Sequence, residues 1–260
     1  MTARLRTMSS KGRGAWAVLL VLAILAGALS GGLKYLRKAD AASTINVGPA
    51  VAIANDGTCS LLEAFDRIDE LMGGGPAANT DCPQATSWPV TLNLTASYTY
   101  TLTANPNTNW APGHQDPDTA FPRLQAGHHV IVQGNGATIE RDASAPDFRF
   151  FDVLGGGALD LDQLTLQRGR LSTWGSGGAA IRSSGTVNIT NSTLQDNTIP
   201  SGGSGGAIWN WGSLTINNST FRNNFALWGG GAIANGGTLT ISNSTLEDNS
   251  VNWGLGGGHP

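Results

Sequence analysis

Short segments in which apolar and polar residues alternate recur through the second half of the chain. Three copies read TVNITNSTL, SLTINNSTF and TLTISNSTL, and they end at Leu194, Phe221 and Leu246, which are 27 and 25 residues apart. Alternation is the periodicity of a β-strand, and repeats of this length predict a solenoid. Because the repeats lack a helical stripe and a propeller blade needs about 40 residues, the pattern favours a parallel β-helix.

Stacking of the coils predicts which residues face inward and which lie at the corners, since equivalent residues would lie about 4.8 Å apart. The apolar positions would form three inward rows: Val187, Leu214 and Leu239; Ile189, Ile216 and Ile241; and Leu194, Phe221 and Leu246. Asparagine amides in register can hydrogen-bond along a stack. Two structural ladders are therefore expected at the corners: Asn191, Asn218 and Asn243, and Asn197, Asn224 and Asn249.

A different pattern precedes the repeats. Ser60 opens an S-x-x-E capping box followed by apolar residues at helical spacing, which predicts a helix from Ser60 to Met72. Strands are predicted at residues 90–94 and 98–103, and the segment 105–125, rich in Pro, Asn and Asp, is interpreted as a long surface loop. The amphipathic helix would cover the open strand edges at the N-terminal end of the solenoid.

The first forty residues have the layout of a targeting segment. Four basic residues precede an apolar run from Ala15 to about Leu33, which predicts a signal peptide or a signal anchor within residues 1–42. In either case the rest of the chain is expected to be extracellular or on the cell surface. Cys59 and Cys82 both lie in this exported part, where an even pair predicts a disulfide.

Three regions follow from these patterns. Residues 1–42 are the targeting segment, residues 43–125 hold the capping helix and first strands, and residues 126–260 hold the β-helix repeats. Near the C-terminus, Gly256 to Gly258 open what should be another repeat before the sequence stops at Pro260. We therefore expect a fragment of a longer protein that is truncated at its C-terminus.

Charge limits the classes of partner. The net charge is −3, and seven of the fifteen Lys and Arg residues lie in the first forty positions, so the remainder is distinctly acidic. This composition argues against nucleic acid as a partner. Membrane contact is expected only through the N-terminal segment or a missing C-terminal anchor. Polysaccharides and surface proteins stay open as partners. No metal or other cofactor is expected, and the histidines are interpreted as surface residues: His114, His128, His129 and His259.

The motifs resemble those of two families. The segment DGTCSLLEA at residues 56–64 resembles the N-terminal CSLREA-type domain of bacterial exported proteins, with Leu62 where that motif has Arg. The repeats, with Gly-Gly-Ala-Ile elements and FRNN at residues 221–224, are similar to those of chlamydial polymorphic outer-membrane proteins. The resemblance implies an all-β, right-handed parallel β-helix with an N-terminal capping helix, at the cell surface or outside the cell. It implies no settled activity, because these families are mostly adhesin-like or uncharacterised.

Parallel β-helices also carry polysaccharide-cleaving enzymes, so catalysis needs a separate test. The position after one strand holds Asp196, Asn223 and Asp248 in successive repeats. Two coils would separate the two acids by about 9.6 Å, near the limit for an inverting pair. Because no third acid or basic partner falls beside them, Asp and Asn are interpreted here as interchangeable turn residues, and no catalytic residue is assigned.

Tryptophans beside the glycine-rich turns are the candidate ligand-binding residues: Trp174, Trp209, Trp211, Trp228 and Trp253. Flat aromatic faces in a row would stack on sugar rings; the alternative is that they stack on one another and cover the coil corners. Three functions follow. The first is an adhesive, structural or ligand-binding surface module without catalysis. The second is a secreted polysaccharide lyase or glycoside hydrolase, and the third is a carbohydrate-binding module that uses the loop tryptophans.

Overall fold

The computed structural model describes residues 43–54, 56–76, 81–106 and 110–252. The predicted targeting segment at residues 1–42 lies outside the described residues. The described chain holds one α-helix, α1 (Leu61–Leu71), and eighteen strands. The strands are β1 (Ser43–Val47), β2 (Val90–Leu94), β3 (Thr99–Leu102), β4 (His129–Arg141), β5 (Phe151–Val153), β6 (Ala158–Gln167), β7 (Ile181–Ser183), β8 (Thr186–Thr190), β9 (Thr193–Gln195), β10 (Thr198–Ile199), β11 (Ile208–Asn210), β12 (Ser213–Asn217), β13 (Thr220–Arg222), β14 (Phe225–Ala226), β15 (Ile233–Asn235), β16 (Thr238–Ser242), β17 (Thr245–Glu247) and β18 (Ser250–Val251).

The strands form a parallel β-helix, because each one pairs in parallel with its counterpart in the next coil. One sheet has the order β1-β2-β4-β6-β8-β12-β16, a second β5-β7-β11-β15 and a third β10-β14-β18. The short strands β9, β13 and β17 stack on one another and continue the face formed by β3 and the second halves of β4 and β6. The first sheet therefore runs without interruption from the N-terminal strands β1 and β2 into the repeats.

Successive coils differ in length in one place. The segments between the third strand of one coil and the first strand of the next are residues 172–180, 200–207 and 227–232, which we call the glycine-rich loops. They contain nine, eight and six residues, whereas the strands between them keep a constant register. The loops thus account for the unequal repeat lengths seen in the sequence.

The predicted inward rows are confirmed by the strand register. Val187 pairs with Leu214 and Leu214 with Leu239, and the rows that begin at Ile189 and Leu194 continue in the same way. All members in the coils of β8 and β12 are fully buried or nearly so. In the last described coil Ile241 and Leu246 are 40% and 47% exposed, because no later strand among the described residues covers them.

Two corners of each coil use the left-handed backbone conformation. Asn191, Asn218 and Asn243 have φ of 51°, 50° and 50°, and the second corner holds Asp196, Asn223 and Asp248 with φ of 54°, 53° and 53°. Asn and Asp tolerate this conformation better than other residues with a Cβ atom, because their short polar side chains bond locally. The alternation of Asp and Asn at the second corner therefore follows from backbone geometry.

A buried asparagine ladder runs along the inside of the next corner. The Nδ2 group of Asn197 donates to Oδ1 of Asn224 at 3.0 Å, and Nδ2 of Asn224 donates to Oδ1 of Asn249 at 2.9 Å. Each Nδ2 also donates to a strand carbonyl of the preceding coil: Leu166, Leu194 and Phe221. Asn197 and Asn224 are fully buried, so these bonds satisfy amides that water cannot reach.

The other predicted ladder is exposed and less regular. Nδ2 of Asn218 donates to Oδ1 of Asn191 at 2.5 Å, and Asn191 donates to Asp162 at 2.8 Å. Asn243 instead donates to Oδ1 of Asn217 at 3.3 Å. The amides thus bond along the stack at this corner, but the third asparagine turns to a different residue.

A serine ladder that the sequence analysis did not predict lies one residue further on. Backbone N–H groups of Leu164, Ser192 and Ser219 donate to the hydroxyls of Ser192, Ser219 and Ser244, each at 3.1 Å. Each hydroxyl then donates to a carbonyl two residues earlier in its own coil. The Asn-Ser-Thr motif of the repeat is therefore a structural unit: asparagine makes the bend and serine bonds the next coil.

Helix α1 packs against the first strand of the solenoid. The predicted capping box is present, with N–H of Ser60 donating to Glu63 at 2.8 Å and N–H of Glu63 donating back to Oγ of Ser60 at 3.3 Å. The apolar face of the helix, including Phe65 and Ile68, shares one core with Ile45 of β1. Because β1 is the terminal strand of its sheet, this packing covers the first described coil.

The interpretation of residues 105–125 as a surface loop is wrong. Trp110, Phe121 and Leu124 are buried, and the ring of Phe121 stacks on that of Phe65 with 3.9 Å between centroids. The loop is thus a second layer over helix α1. The many Pro, Asn and Asp residues of this segment account for its irregular backbone. Its aromatic residues are buried, and they determine that the segment packs in the interior.

We expect loss of one ladder amide to destabilise the whole stack. Asn224→Ala leaves the buried N–H of Asn197 and the carbonyl of Leu194 without their partner, so the free energy of unfolding should fall by about 3 kcal/mol. Urea unfolding followed by circular dichroism measures this change. Asn218→Gly, which keeps the left-handed corner, is the control and should cost less than about 1 kcal/mol. Equal losses in both variants would contradict the role of the buried ladder.

We expect the disulfide to contribute to the free energy of unfolding. Cys59 and Cys82 are bonded across 23 residues, and opening that loop should lower the free energy of unfolding by about 3 kcal/mol. Urea unfolding with and without dithiothreitol measures the loss. The double variant Cys59→Ser/Cys82→Ser should be as unstable as the reduced protein and insensitive to the reductant. A reductant effect that persists in this variant would mean that the loss has another origin.

Candidate functional site

Two tryptophans of the glycine-rich loops form an exposed aromatic pair. Trp174 lies in the loop 172–180 and Trp228 in the loop 227–232, and their ring centroids are 5.0 Å apart with an interplanar angle of 86°. This edge-to-face arrangement is a preferred geometry of aromatic pairs. The rings contact one another, yet Trp174 remains 77% exposed and Trp228 37% exposed. The pair therefore presents aromatic surface to solvent while one ring supports the other.

Gly202 of the intervening loop lies beside both rings, and its lack of a side chain leaves room for them to meet. A Cβ atom at this position would lie 2.6 Å from Cδ1 of Trp174 and 3.0 Å from Cζ2 of Trp228, and the residue has φ of +59°. Glycine is the residue that meets both conditions without strain. Trp174, Gly202 and Trp228 thus come from three successive glycine-rich loops and form one cluster.

A second aromatic pair lies on and after β11. Trp209 and Trp211 have ring centroids 5.9 Å apart at 71°, and Trp211 is 58% exposed. The ring of Trp209 covers Gly177, where a Cβ atom would come within 2.4 Å of it. Because Gly177 belongs to the same loop as Trp174, both pairs border one glycine-rich loop. We call Trp174, Trp228, Trp209 and Trp211 the aromatic surface; Trp253 lies outside the described residues.

The loop that carries Trp174 is tied down at both ends. At its start the hydroxyl of Ser172 donates to Asp147. Near its end the carbonyl of Gly177 accepts from Nη1 of Arg149 at 2.5 Å, and N–H of Gly175 donates to the carbonyl of Gly202 at 2.6 Å. These bonds fix the loop backbone, so the tryptophan is held in position before any ligand arrives.

A cluster of charged side chains surrounds Arg149, the residue that bonds this loop. Asp152, whose side chain is 1% exposed, accepts from Nη2 of Arg182 at 2.6 Å and from Nε of Arg123 at 2.9 Å. Arg182 also contacts Asp116 at 2.7 Å. Arg149 is almost fully buried beside them. The cluster joins the segment 105–125 to strands β5 and β7. The interpretation of that segment as a surface loop did not predict these ion pairs.

The electrostatics of the cluster follow from burial and pairing. Burial lowers the pKa of Arg149 to about 10, because the charged form loses hydration. Burial alone would raise the pKa of Asp116, but the nearby Arg182, the hydrogen bond from N–H of Asp118 and the charge of Arg149 together lower that pKa. Hydrogen bonds to Asp152 raise the pKa of Arg182. Arg182 and Asp116 stabilise the charged forms of each other, which suits a fixed support and not a proton-transferring pair.

The acids considered for catalysis do not converge. Asp196 and Asp248 occupy exposed corners with Asn223 between them, and Asp160, on the outer face of β6, pairs with His129 at 2.7 Å. Within the described ranges no group of three or more His, Cys, Asp and Glu residues has metal-binding geometry. The arrangement around the aromatic surface supports contact with a ligand better than acid–base chemistry.

Two of the histidines are not the surface residues that the sequence suggested. Nδ1 of His114 lies 2.6 Å from Oδ1 of Asp69, whose side chain is 5% exposed, and the ring of His128 stacks on Trp88 with 4.9 Å between centroids. Burial, and then the nearby His114, lower the pKa of His128. These neighbours, Asp69 of helix α1 and Trp88, are distant from the two histidines in the chain, and spacing along the sequence carries no sign of the contacts.

Comparison with known proteins gives the hand of the solenoid. A family model described as "Right handed beta helix region" matches residues 150–258. No curated protein matches the chain, and no solved structure matches it. The protein is thus an all-β, right-handed parallel β-helix, and no relative supplies a ligand for it. In the part of the chain that the structure describes, the one helix is too short to cross a membrane.

We expect His128 to make the N-terminal region sensitive to acid. Its pKa is lower in the folded chain than the usual 6.5, so the unfolded chain binds more protons, and the free energy of unfolding should fall as the pH drops from about 6.5 through the depressed value. Urea unfolding at a series of pH values measures the slope. His128→Gln should flatten the curve in this window, and identical slopes for both proteins would contradict the assignment.

Proposed function

We propose that this chain is an exported, non-catalytic β-helix that binds polysaccharide through the aromatic surface, as an adhesive or cell-surface module. The observation that carries the proposal is the exposure of Trp174, 77%, on a loop whose backbone is fixed at both ends. A large indole group left in water and held rigidly is typical of a binding surface, because little conformational entropy remains to be lost on binding.

The chemistry of the surface favours sugars. Pyranose rings have an apolar face of C–H groups and a periphery of hydroxyls, so they stack on flat aromatic rings while polar groups nearby receive the hydroxyls. Indole provides the apolar face together with one N–H donor. Two tryptophan pairs that border one loop give contact over more than one sugar unit, which increases affinity through multiple weak contacts.

Export is supported by independent features. The basic and apolar pattern of residues 1–42 has the layout of a signal peptide or anchor, and the Cys59–Cys82 disulfide is a bond that persists outside the cytoplasm. The resemblance of residues 56–64 to the CSLREA-type domain and of the repeats to chlamydial surface proteins agrees with an extracellular or cell-surface site. A rigid solenoid also suits a stalk that holds a binding face away from a surface.

Catalysis is the weaker proposal. Asp147, which bonds Ser172 of the loop that carries Trp174, and Asp152 of the ion cluster are both engaged by arginines, and Asp152 is buried. A hydrolase needs two carboxyl groups that face one substrate bond. We therefore assign ligand contact to the tryptophans and no chemical step to the acids.

The test is retention in affinity gels that contain soluble polysaccharides. The full chain, purified from cells that export it, is run in gels with neutral β-glucan, xylan or mannan and with acidic pectin, and the reducing ends are assayed in parallel. Retention by at least one polymer, without new reducing ends, is expected. Trp174→Ala/Trp228→Ala should weaken retention about tenfold or more, because stacking contacts contribute one to a few kcal/mol.

Trp174→Phe/Trp228→Phe is the matched control, since it keeps two aromatic rings at the same backbone positions. This variant should retain most of the binding. New reducing ends would overturn the non-catalytic assignment. Retention that survives Trp174→Ala/Trp228→Ala unchanged would show that the ligand does not use this pair.

A further inference from the structure

Six threonines stand in one column on the outer face that is continued by β9, β13 and β17. They pair in strict register from the first coils to the last: Thr99, Thr138, Thr165, Thr193, Thr220 and Thr245. Five steps of about 4.8 Å give the column a length of about 24 Å along the solenoid axis. We call these residues the threonine column.

The hydroxyls of this column have no partner within the described part of the protein. Other polar side chains that repeat in register bond to a neighbouring coil, as those of Asn224 and Ser219 do. In residues 43–252 as described, no hydrogen bond involves the hydroxyls of Thr165, Thr193 or Thr220. Threonine is stiff at χ1 because it is β-branched, so the column presents hydroxyls at regular intervals.

A chain of bonded polar side chains runs parallel to the column two residues further along each strand. Nε2 of Gln167 donates to Glu140 at 2.5 Å, Nε2 of Gln195 donates to Oε1 of Gln167 at 2.6 Å, and Nε of Arg222 donates to Oε1 of Gln195 at 2.8 Å. Glu140 is further neutralised by Arg168 at 2.9 Å. The bonds orient the amides and leave remaining N–H and carbonyl sites toward solvent.

The two rows border a shallow groove that is open to solvent and has a volume of about 470 Å³. One side of it is lined by Thr138, Thr165, Thr193 and Thr220, and the other by Gln167, Gln195, Arg222 and Glu247. Most of the groove offers neutral donors and acceptors at a constant spacing, and its two charged residues, Arg222 and Glu247, have opposite charges and pair in register. Such a groove is complementary to a linear polymer that is itself rich in hydroxyls. It is a poor match to a strongly charged polymer, because the charges in the groove largely cancel.

We infer that this groove is a second polysaccharide-binding site, which takes a single extended strand of a neutral polysaccharide along the solenoid axis. The threonine hydroxyls and the glutamine amides hydrogen-bond the sugar hydroxyls. The site is separate from the aromatic surface, since it lies on different strands and uses polar contacts in place of stacking. It goes beyond the proposed function and can stand or fall without it.

The test removes hydroxyls without altering shape. Thr165→Val/Thr193→Val/Thr220→Val keeps β-branching and side-chain size, so the strands should fold as before. Binding of the full chain to cellohexaose and to laminarihexaose, two neutral linear hexasaccharides, is measured by isothermal titration calorimetry. The triple variant should bind the preferred hexasaccharide about tenfold or more weakly than the wild type, because several hydrogen bonds are lost together.

Thr91→Val/Thr215→Val/Thr240→Val is the matched control, because these threonines lie outward on the neighbouring strands β2, β12 and β16. It should change the affinity less than twofold, and thermal unfolding should give similar midpoints for all three proteins. Equal affinity of the groove variant and the wild type would overturn the inference, as would a wild type that binds neither hexasaccharide.

The two sites are distinguished by comparing the variants. Binding lost in the groove variant but kept in Trp174→Ala/Trp228→Ala supports the groove and counts against the aromatic surface. The reverse pattern overturns the groove and leaves the aromatic surface in place. Loss of binding in both variants would overturn the independence of the two sites, because one ligand would then need both.

Discussion

The constraint on which the structure depends is the backbone hydrogen bonding between successive coils. It places equivalent residues of neighbouring coils at one fixed spacing, so every position in the repeat becomes a column that must be compatible with itself. Apolar columns fill the interior, and the asparagines of one column hydrogen-bond to each other from coil to coil. The corners require a residue that accepts positive φ. The repeat pattern of the sequence is the direct result of this requirement.

This constraint also explains how far the sequence could be interpreted. Rows such as Ile189, Ile216 and Ile241 were predictable because the register is uniform once the period is known. The capping box at Ser60 was equally local. By contrast, the burial of Trp110 and Phe121 and the ion cluster around Asp152 depend on contacts between segments far apart in the chain, for which a repeat gives no information.

The candidate sites show the same division. Their residues could be named from the sequence, since tryptophans beside glycine-rich turns are conspicuous. Their geometry could not be predicted, because the contact between Trp174 and Trp228 beside Gly202 requires three loops to lie in register. The threonine column was within reach of the sequence, because the threonine before Leu194, Phe221 and Leu246 is present in each copy. Its significance depends on which hydroxyls are already bonded, and the structure is needed to decide that.

The unequal lengths of the glycine-rich loops have a consequence for how such a protein can diversify. Nine, eight and six residues connect the same pair of strand positions without disturbing the columns on either side. Insertions, deletions and exchanges in these loops therefore alter the outer surface while the interior keeps its order. The ends of the loops, at residues 177–180, 204–207 and 229–232, still pair from coil to coil, so the freedom to vary lies in the loop starts. Trp174 and Trp228 lie in those loop starts.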